Sequence, residues 1–393
     1  MIESHPFISF KKNWRLGPNE WFQLGQCQAT IKAITRTPIS PAYRKKLYLV
    51  SLIKGAQATT AIEGNTLSED EVEQIAEGKS MPESKRYMEQ EVSNVLDALQ
   101  AIRNEIIDDD RSEIITGELL RRFHRLIGKN LGKEFGATPG RFRKRHVVVG
   151  QVYRAPDAQH VNDLIDAFCQ WSLKEFHYQK GQDFSTAVIQ AIVSHVYIAW
   201  IHPFDDGNGR TARLLEFYLL LRAGVPDLAA HILSNHYNQT RNEYYRQLKS
   251  LQKKKGDLSD FISYALQGFK DGLSEVLKTV QKSQMEVAWN AHVHQTFVQF
   301  ASMHGSRPVE RRRKSLILSF LLDQEYAIDE IAAINEPIRV QYENLSRRTL
   351  QRDIDALQVM GLLKLDSQSG KYRAWSGILQ GQMAHVRDSR ILH

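Results

Sequence analysis

The sequence predicts a mainly α-helical protein that contains one short β-hairpin and ends in a second helical domain. Three observations lead to this fold class. Apolar residues recur at helical spacing along most of the chain, β-branched residues cluster in one stretch, and the pattern changes after a polar segment near residue 303. A length of 393 residues also favours two or three domains over one.

The first half of the chain contains clear signals for helix ends. A helix is predicted over 42–62, because Gly64 can close its C-terminus. Ser68 and Glu71 stand in capping-box spacing, so a second helix is expected to begin directly afterwards. The later helices follow from apolar spacing. They are predicted over 89–106, 116–127, 158–176, 185–200, 208–223 and 258–298.

One stretch between these helices has the character of a strand. Val147, Val148 and Val149 are β-branched, and Gly150 and two further strand-forming residues follow them. A glycine at this place suits the tight turn of a hairpin. The sequence therefore predicts a short β-hairpin within 141–155.

The C-terminal part has a pattern of its own. The stretch 303–308 is predicted to be a linker. Helices are predicted over 316–322, over 328–334 and from Ser346 onwards, and a hairpin over 362–375 follows them. This order is typical of a winged helix-turn-helix domain. The connection before the last helix is longer than the three or four residues of an ordinary helix-turn-helix.

Composition excludes several classes of protein. The 52 Lys and Arg against 45 Asp and Glu give a net charge of +7, which permits contact with phosphates without requiring it. Cys27 and Cys169 are too far apart for a CxxC pair, which favours a reducing compartment. The N-terminus lacks an apolar signal segment, and polar residues interrupt the apolar stretch 187–204. We therefore expect a cytoplasmic protein without a membrane span.

The most informative stretch is HPFDDGNGRTAR, from His202 to Arg213. It places a glycine-rich turn before a helix that begins near Asn208. Unpaired N–H groups and the helix dipole favour an anion at such a helix start. Gly207 and Gly209 let the backbone come close to that anion. The stretch therefore predicts an anion site.

The charged side chains of the same stretch suit a polyphosphate. Arg210 and Arg213 are one helical turn apart and share a face. Asp206 suits a Mg²⁺ ion that bridges phosphate oxygens, and a neutral His202 could act as a general base. An isolated histidine at a helix end is more often a core residue, so that alternative stays open here. Residue types and spacing thus predict a Mg²⁺-nucleotide site with a general base, and no more.

This twelve-residue stretch resembles the Fic family motif HPFx[D/E]GNGRxxR at every defined position. The resemblance implies a Fic-type helical bundle that transfers AMP from ATP to a Ser, Thr or Tyr hydroxyl of a protein and releases pyrophosphate. It implies that His202 is the general base and that Asp206 holds Mg²⁺. The other implied nucleotide contacts of the motif are Gly207, Asn208 and Gly209 around the α-phosphate, Arg210 at the β-phosphate, Thr211, and Arg213 at the γ-phosphate.

The resemblance extends to two further segments. The predicted hairpin would be the family's flap, which clamps the target by strand addition. The flap residues implied to lie against the nucleotide are Val147, Val148, Val149 and Gly150. Downstream, Tyr244 and Tyr245 resemble the family's adenine-side pair, although core aromatics would look the same. Gln252 is the nearest candidate for the polar residue that follows this pair in the family.

An upstream segment resembles the inhibitory motif [S/T]xxxE[G/N] of autoinhibited Fic proteins, with Thr59, Glu63 and Gly64 at the defined positions. A helix would place Thr59 and Glu63 on one face, and a carboxylate at a helix C-terminus needs a cation. The family supplies Arg213. The implied pair would keep Arg213 from the γ-phosphate and hold ATP in an unproductive pose. In some members the same Glu assists removal of AMP, and a solvated Glu63 is the alternative without function.

Two basic segments leave alternatives open. Arg141, Arg143, Lys144 and Arg145 form either a solvated hairpin arm or a substrate-binding surface. The segment from Ser346 resembles the recognition helix of DeoR-type regulators. Its apolar residues Leu350, Ile354 and Leu357 would face the core, and its outward residues would be Arg347, Arg348, Gln351 and Arg352.

The charge of the tail does not decide between its two interpretations. Residues 301–393 contain 14 Lys and Arg against 11 Asp and Glu, which is a weak basic footprint for DNA binding. Winged helices also dock proteins. Both DNA and a protein therefore stay open as partners of the tail.

The sequence thus predicts four regions: an N-terminal helical region 1–110 with the inhibitory helix, a Fic catalytic core 111–255, a helical connector 256–302 and a winged-helix domain 303–393. The predicted function is AMP transfer from ATP, with Mg²⁺, to a protein hydroxyl, with the chain itself among the candidate targets. The alternatives are a nucleotide-sensing transcription regulator and a Fic relative that transfers phosphocholine or phosphate. A homodimer is also left open.

Overall fold

The computed structural model describes residues 4–149, 153–177, 183–253, 256–301 and 307–379. The chain divides into two compact units, Met1–Thr279 and Val280–His393. The predicted connector 256–302 is not a region of its own, because one long helix, Ser259–Ala301, runs across this boundary. Its apolar residues Trp289, Val293 and Phe297 belong to the core of the second unit.

The first unit is almost entirely helical. Its helices are α1 (Pro18–Arg36), α2 (Pro41–Ala61), α3 (Glu69–Ala76), α4 (Arg86–Arg103), α5 (Gly117–Ile127), α6 (Val161–Glu175), α7 (Asp183–Ile201), α8 (Asn208–Arg222), α9 (Ile232–Gln239), α10 (Arg241–Lys253) and the first part of α11 (Ser259–Ala301). A short antiparallel hairpin lies between α5 and α6. Its strands, β1 (Val148–Val149) and β2 (Tyr153–Arg154), contain two residues each. This arrangement agrees with the predicted mainly α class.

Helices α7 and α8 form the centre of the first unit and pack against each other more extensively than any other pair of described elements. Helix α7 is long and apolar enough to cross a membrane by length and composition, and 83% of its apolar window is buried inside the protein. Helices α2, α4 and α5 surround α8 and bring the N-terminal region against it.

The caps explain why several helices begin where they do. Ser68 caps α3 and forms the predicted capping box with Glu71. Thr116 caps α5, and its hydroxyl accepts a hydrogen bond from the N–H of Leu119. Helix α2 ends at Ala61, so Glu63 lies in the turn after the helix rather than on its last turn.

The second unit contains α12 (Arg307–Leu318), α13 (Ile328–Ile331), α14 (Glu336–Tyr342), α15 (Arg347–Val359) and the antiparallel strands β3 (Leu363–Leu365) and β4 (Tyr372–Ala374). Ser346 caps α15. Leu350, Ile354 and Leu357 are buried in the core of this unit, as their spacing predicted.

Some predicted boundaries in the second unit were wrong. The helix predicted over 316–322 begins at Arg307 and ends at Leu318, and it includes Pro308, which was predicted to lie in a linker. Proline is tolerated in the first turn of a helix, where its missing N–H costs nothing. Residues 303–306 of that linker lie outside the described residues. The long connection before Ser346 contains α14, which leaves a turn of only four residues, 343–346, before α15.

Candidate active site

The stretch from His202 to Gly207 forms a tight loop between α7 and α8. His202 has a φ of +50° and Gly207 has a φ of +76°, so both lie in the left-handed region of backbone space. Gly207 reaches this conformation without cost and is the N-cap of α8. His202 carries a Cβ atom, so its backbone is held in a disfavoured conformation by its surroundings.

Two buried side chains fix the shape of this loop. The Asn208 amide donates to the carbonyl of Phe204 at 2.9 Å, and its oxygen accepts from the N–H of Phe204 at 2.9 Å. His124 stacks on the Phe204 ring with centroids 3.7 Å apart. Its Nδ1 accepts from the N–H of Gly140, so Nε2 carries the proton and donates to the carbonyl of Asp206. The Asn208 side chain therefore fixes the shape of the loop, and its backbone N–H lies at the start of α8, where an anion is favoured.

Arg143 also belongs to this scaffold, although it comes from the basic run beside the hairpin. Only 2% of Arg143 is exposed, and its side chain donates to four backbone carbonyls, among them that of His202. The alternative of a solvated arm is therefore wrong for Arg143, while Arg141, Lys144 and Arg145 are exposed. Sequence reasoning missed the roles of His124 and Arg143, because neither stands in a motif that marks a long-range contact.

His202 is partly buried and neutral at physiological pH. Burial lowers the pKa of its imidazole to about 4, and the nearby charge of Arg143 acts in the same direction. Its Nδ1 lies 3.4 Å from the carbonyl oxygen of Ala199, which favours the proton on Nδ1. That tautomer leaves Nε2 as a proton acceptor, which is the state that a general base requires.

Arg213 is buried in the first unit and is paired with Glu63. Arg213 is 1% exposed, and its Nη2 lies 2.5 Å from Glu63 Oε1 and 2.9 Å from the carbonyl oxygen of Thr59. Burial opposes ionisation of Glu63, but the attraction of Arg213 and its hydrogen bond outweigh burial and hold the pKa of Glu63 below its ordinary value. The Glu63 side chain is 31% exposed and is therefore not a freely solvated helix-end residue.

The Glu63 carboxylate lies at the start of α8. A Cβ atom added at Gly209 would overlap Glu63 Oε1, so glycine is required for the carboxylate to reach this place. Gly64 follows with a φ of +104°, which glycine adopts readily and other residues do not. The carboxylate thus occupies the position where the dipole and the unpaired N–H groups of α8 favour an anion.

Arg210 is paired with a carboxylate that sequence reasoning did not identify. Its Nη1 forms a buried ion pair with Glu91 on α4, and its Nη2 lies 3.3 Å from Asp206 Oδ1. The amide of Asn65 donates to the other oxygen of Glu91 at 3.1 Å. Glu91 therefore connects Arg210 to the segment that follows Glu63. Nothing in the sequence around Glu91 marks this contact, which joins positions 119 residues apart.

The two motif arginines have more donors than partners. Among the described residues, Arg210 Nε, Arg213 Nε and Arg213 Nη1 are buried and have no hydrogen-bond partner. Buried donors are nearly always paired in folded proteins, and unpaired ones call for an explanation. Guanidinium donors at a helix N-terminus suit phosphate oxygens. The site therefore has the chemistry of a polyphosphate-binding pocket.

Asp206 could hold a Mg²⁺ ion that arrives with a polyphosphate. Its side chain is 44% exposed, and its two intramolecular hydrogen bonds, from Gly207 N and Arg210 Nη2, both end on Oδ1. Among the described residues no group of three or more His, Cys, Asp or Glu could cage a metal. Mg²⁺ usually needs only one or two protein carboxylates beside substrate phosphates. Asp206 fits this limited role.

The other residues predicted to contact the nucleotide, Thr211 and the flap residues, differ in how far they are exposed. Thr211 is buried, and its hydroxyl donates to the carbonyl of Gly207, so its side chain points into α8. Val147 precedes β1, Val148 and Val149 are exposed, and Gly150 lies outside the described residues.

The tyrosine pair of α10 is split between two environments. Tyr244 is buried, and its hydroxyl lies 2.8 Å from His195 Nε2. Tyr245 is 45% exposed, and its hydroxyl donates to the carbonyl of Ile62, next to Glu63. Gln252 is half-buried near the end of α10. Tyr244 therefore has the contacts of a core aromatic, whereas Tyr245 reaches the segment that carries Glu63.

The candidate residues of the tail lie on the outer side of α15. Arg347, Arg348 and Arg352 are exposed, and Gln351 is partly exposed and donates to Asp355. Arg347 forms an ion pair with Asp329 at 2.9 Å. The predicted outward face is therefore accessible within the second unit.

Comparison with known proteins places this geometry in context. The Fic/DOC family matches residues 114–220. The chain is 32% identical over 207 residues to the protein adenylyltransferase Fic of Nematostella vectensis, which covers 52% of this chain and 44% of that protein. It is 30% identical over 211 residues to the protein adenylyltransferase fic-1 of Caenorhabditis elegans, which covers 52% of this chain and 37% of that protein. The matches thus span less than half the length of these curated relatives.

Solved structures support the fold. A Fic family protein from Desulfovibrio desulfuricans aligns with a TM-score of 0.56 and 20% identity, over 93% of this chain and 98% of that one. Fic-1 from C. elegans aligns with a TM-score of 0.54 and 24% identity, over 67% of this chain and 74% of that one. These structures share the fold of the chain. The family match over 114–220 includes the intact motif from His202 to Arg213, so this part of the chain is a Fic domain.

Proposed function

We propose that this protein is an adenylyltransferase that transfers AMP from ATP to a hydroxyl group of a protein. The observation that supports this most strongly is the pair of buried arginines, Arg210 and Arg213, with unpaired N–H groups beside the glycine-lined start of α8. This arrangement suits a polyphosphate, because two guanidinium groups one turn apart can hold two phosphates and the start of α8 can hold a third. The curated relatives that match half of this chain are named protein adenylyltransferases.

In this proposal His202 Nε2 removes the proton from a Ser, Thr or Tyr hydroxyl of the target. The hydroxyl oxygen then forms a bond to the α-phosphorus, and the bond to the bridging oxygen breaks so that pyrophosphate leaves with the electron pair. The N–H groups at the start of α8 stabilise the α-phosphate, Arg210 holds the β-phosphate and Arg213 the γ-phosphate. Mg²⁺, when bound at Asp206, would neutralise charge on the phosphate oxygens.

The pairing of Arg213 supports autoinhibition within the same chain. In the arrangement described above, the Glu63 carboxylate takes the place of an anion at α8 and engages Arg213 Nη2. A γ-phosphate and this carboxylate would compete for the same guanidinium and for the same electrostatic site. We propose that ATP is held unproductively while this pair persists and that release of Glu63 permits transfer.

The flap supports recognition of an extended target segment. Strands β1 and β2 contain two residues each, and their exposed Val148 and Val149 leave backbone groups available for strand addition. A target segment paired with this edge would carry its hydroxyl into the site. The target is therefore proposed to present its modified residue in an extended loop rather than on a helix.

A transfer assay with α-labelled ATP tests the proposed function. In the Glu63→Gly background we expect labelled protein, and the additional change His202→Ala should abolish labelling because no base remains to accept the hydroxyl proton. ATP binding should stay within about threefold, since the arginines and the start of α8 are unchanged. His177→Ala replaces an exposed histidine of the same domain and serves as the control.

Labelling at the parental rate in the His202→Ala protein would exclude His202 as the base. The mass of the modified target separates AMP from phosphocholine or phosphate. An addition other than that of AMP would replace the proposed reaction with the corresponding transfer.

We also propose that the second unit is a winged helix-turn-helix that docks DNA through α15. The four-residue turn between α14 and α15 has the length of an ordinary helix-turn-helix, which supports this assignment. Arg347, Arg348 and Arg352 would contact phosphates and base edges.

The free thiols of Cys27 and Cys169 support a cytoplasmic location for the protein.

A further inference from the structure

Arg143 joins two parts of the active site that are far apart in sequence. Its Nε donates to the carbonyl of His202 at 2.7 Å, and its Nη2 donates to that of Ile201 at 3.4 Å. Its own N–H donates to the carbonyl of Pro203 at 2.9 Å. One residue thus contacts three consecutive carbonyls of the loop that carries the general base.

The same guanidinium also closes the base of the flap. Nη1 donates to the carbonyl of Arg145 at 2.9 Å, and Nη2 donates to that of Pro156 at 2.5 Å. Arg145 precedes the hairpin and Pro156 follows it, so the two ends of the flap are tied to one side chain. The hairpin and the His202 loop therefore share a single anchor.

The chemistry of this anchor is unusual for a purely structural contact. Among the described residues, its hydrogen-bond partners are all carbonyl oxygens, so the buried charge of Arg143 has no directly paired carboxylate. Asp205 and Asp157 act on its charge only from beyond ion-pair distance, and a buried cation that forms no direct ion pair is costly. The rigid fork of arginine is required to reach four carbonyls at once, which a lysine cannot do.

The contact with Arg143 helps to hold the backbone of His202 in a disfavoured conformation. Its φ of +50° is disfavoured for a residue with a Cβ atom and persists only where the surroundings hold it. The hydrogen bond from Arg143 ends on the carbonyl of that same residue. Without this bond the loop could relax, and the imidazole would turn away from a hydroxyl held by the flap.

We propose that Arg143 is a positioning residue that fixes His202 and the flap in one mutual geometry, so that a hydroxyl presented on the flap meets the imidazole. This inference rests on the proposed AMP transfer. It assigns Arg143 no contact with ATP. A misplacement of about 1 Å between reacting groups can lower a rate by about 10²-fold.

The test compares Arg143→Gln and Arg143→Lys in the Glu63→Gly background. We expect kcat to fall about 10²-fold in Arg143→Gln and less in Arg143→Lys, which retains the charge and three donors. The KM for ATP should stay within about twofold, because the phosphate-binding groups lie on α8. Lys174→Ala, which replaces an exposed residue of α6, should match the parent.

Two outcomes of this test would overturn the inference. One is a kcat in Arg143→Gln within threefold of the parent. The other is a parallel loss of ATP binding and of the folding transition, which would make Arg143 a residue of general stability. A fall in kcat with intact ATP binding supports the inference.

Hydrogen exchange separates this inference from the proposed function. If the Glu63→Gly parent transfers no AMP, the proposed reaction fails, but the anchor can still be measured. We expect faster amide exchange in 145–149, 153–156 and 200–204 of Arg143→Gln than in the parent, with unchanged exchange in α8. Unchanged exchange in all of these segments would overturn the anchor itself.

Discussion

The two motif arginines, Arg210 and Arg213, and the arginines on the outer side of α15 have opposite surroundings. Arg210 and Arg213 are 3% and 1% exposed, and each is paired with a carboxylate from the N-terminal helical region. Arg347, Arg348 and Arg352 are exposed on α15. A buried guanidinium has fixed partners and a fixed direction, whereas an exposed one keeps its hydration and its conformational freedom.

This difference shows which of the basic residues have defined partners in the structure. The net charge of +7 is a property of the whole sequence, whereas the two buried arginines of the motif are held in a defined geometry beside the start of α8. Glu91 and Glu63, which pair with them, lie more than a hundred residues away in sequence. The two motif arginines therefore act through specific buried pairs, whereas the exposed arginines on the outer side of α15 contribute mainly to the surface charge of the second unit.

The largest expected effect on stability comes from breaking a buried pair. Glu91→Ala leaves Arg210 buried without its main partner, and we expect the free energy of unfolding to fall by about 3–5 kcal/mol. Urea denaturation with a far-UV signal measures this loss. The matched control is Asp97→Asn, an exposed acid on the same helix α4, which should leave the midpoint unchanged. Equal losses of unfolding free energy in Glu91→Ala and Asp97→Asn would contradict the expectation that the buried charge pair contributes more to stability than an exposed acid.

The smallest expected effect on stability comes from the tail. Replacing Arg347 and Arg348 together by Ala should change the free energy of unfolding by less than about 0.5 kcal/mol, since exposed charges contribute little. If α15 binds DNA, the same double change should reduce the slope of log affinity against log salt by about 2. Gel-shift titration at several salt concentrations measures that slope. No DNA binding by the parent at moderate salt would favour protein docking instead.

The local features of the fold were predictable from the sequence because they depend on neighbours in the chain. The spacing of Ser68 and Glu71 predicts a capping box that the structure contains, and the helix predicted from Ser346 onwards is present with Ser346 as its cap. The left-handed Gly207 at the start of α8 follows from the same kind of local rule. The helix boundaries around Pro308 were wrong because a proline can open a helix as well as break it.

The scaffold of the site was not predictable in this way. Glu91, His124 and Arg143 each act through a contact that only the folded chain creates. The sequence left the basic run of Arg143 as either a solvated arm or a substrate-binding surface, since spacing carries no information about the carbonyls that surround this side chain. Sequence therefore identified the groups proposed to react, and the structure added the groups that hold them.

The account depends most directly on the pair of Glu63 and Arg213. The decisive measurement is the initial rate of label transfer from α-labelled ATP by the wild-type chain, by Glu63→Gly and by the control Glu69→Gly, which removes an exposed acid at the start of α3. Release of Arg213 should raise the rate by about 10- to 100-fold in Glu63→Gly, in the range of typical coupling free energies, and Glu69→Gly should match the wild type. Equal rates for the wild type and Glu63→Gly would contradict the proposal that Glu63 restrains transfer.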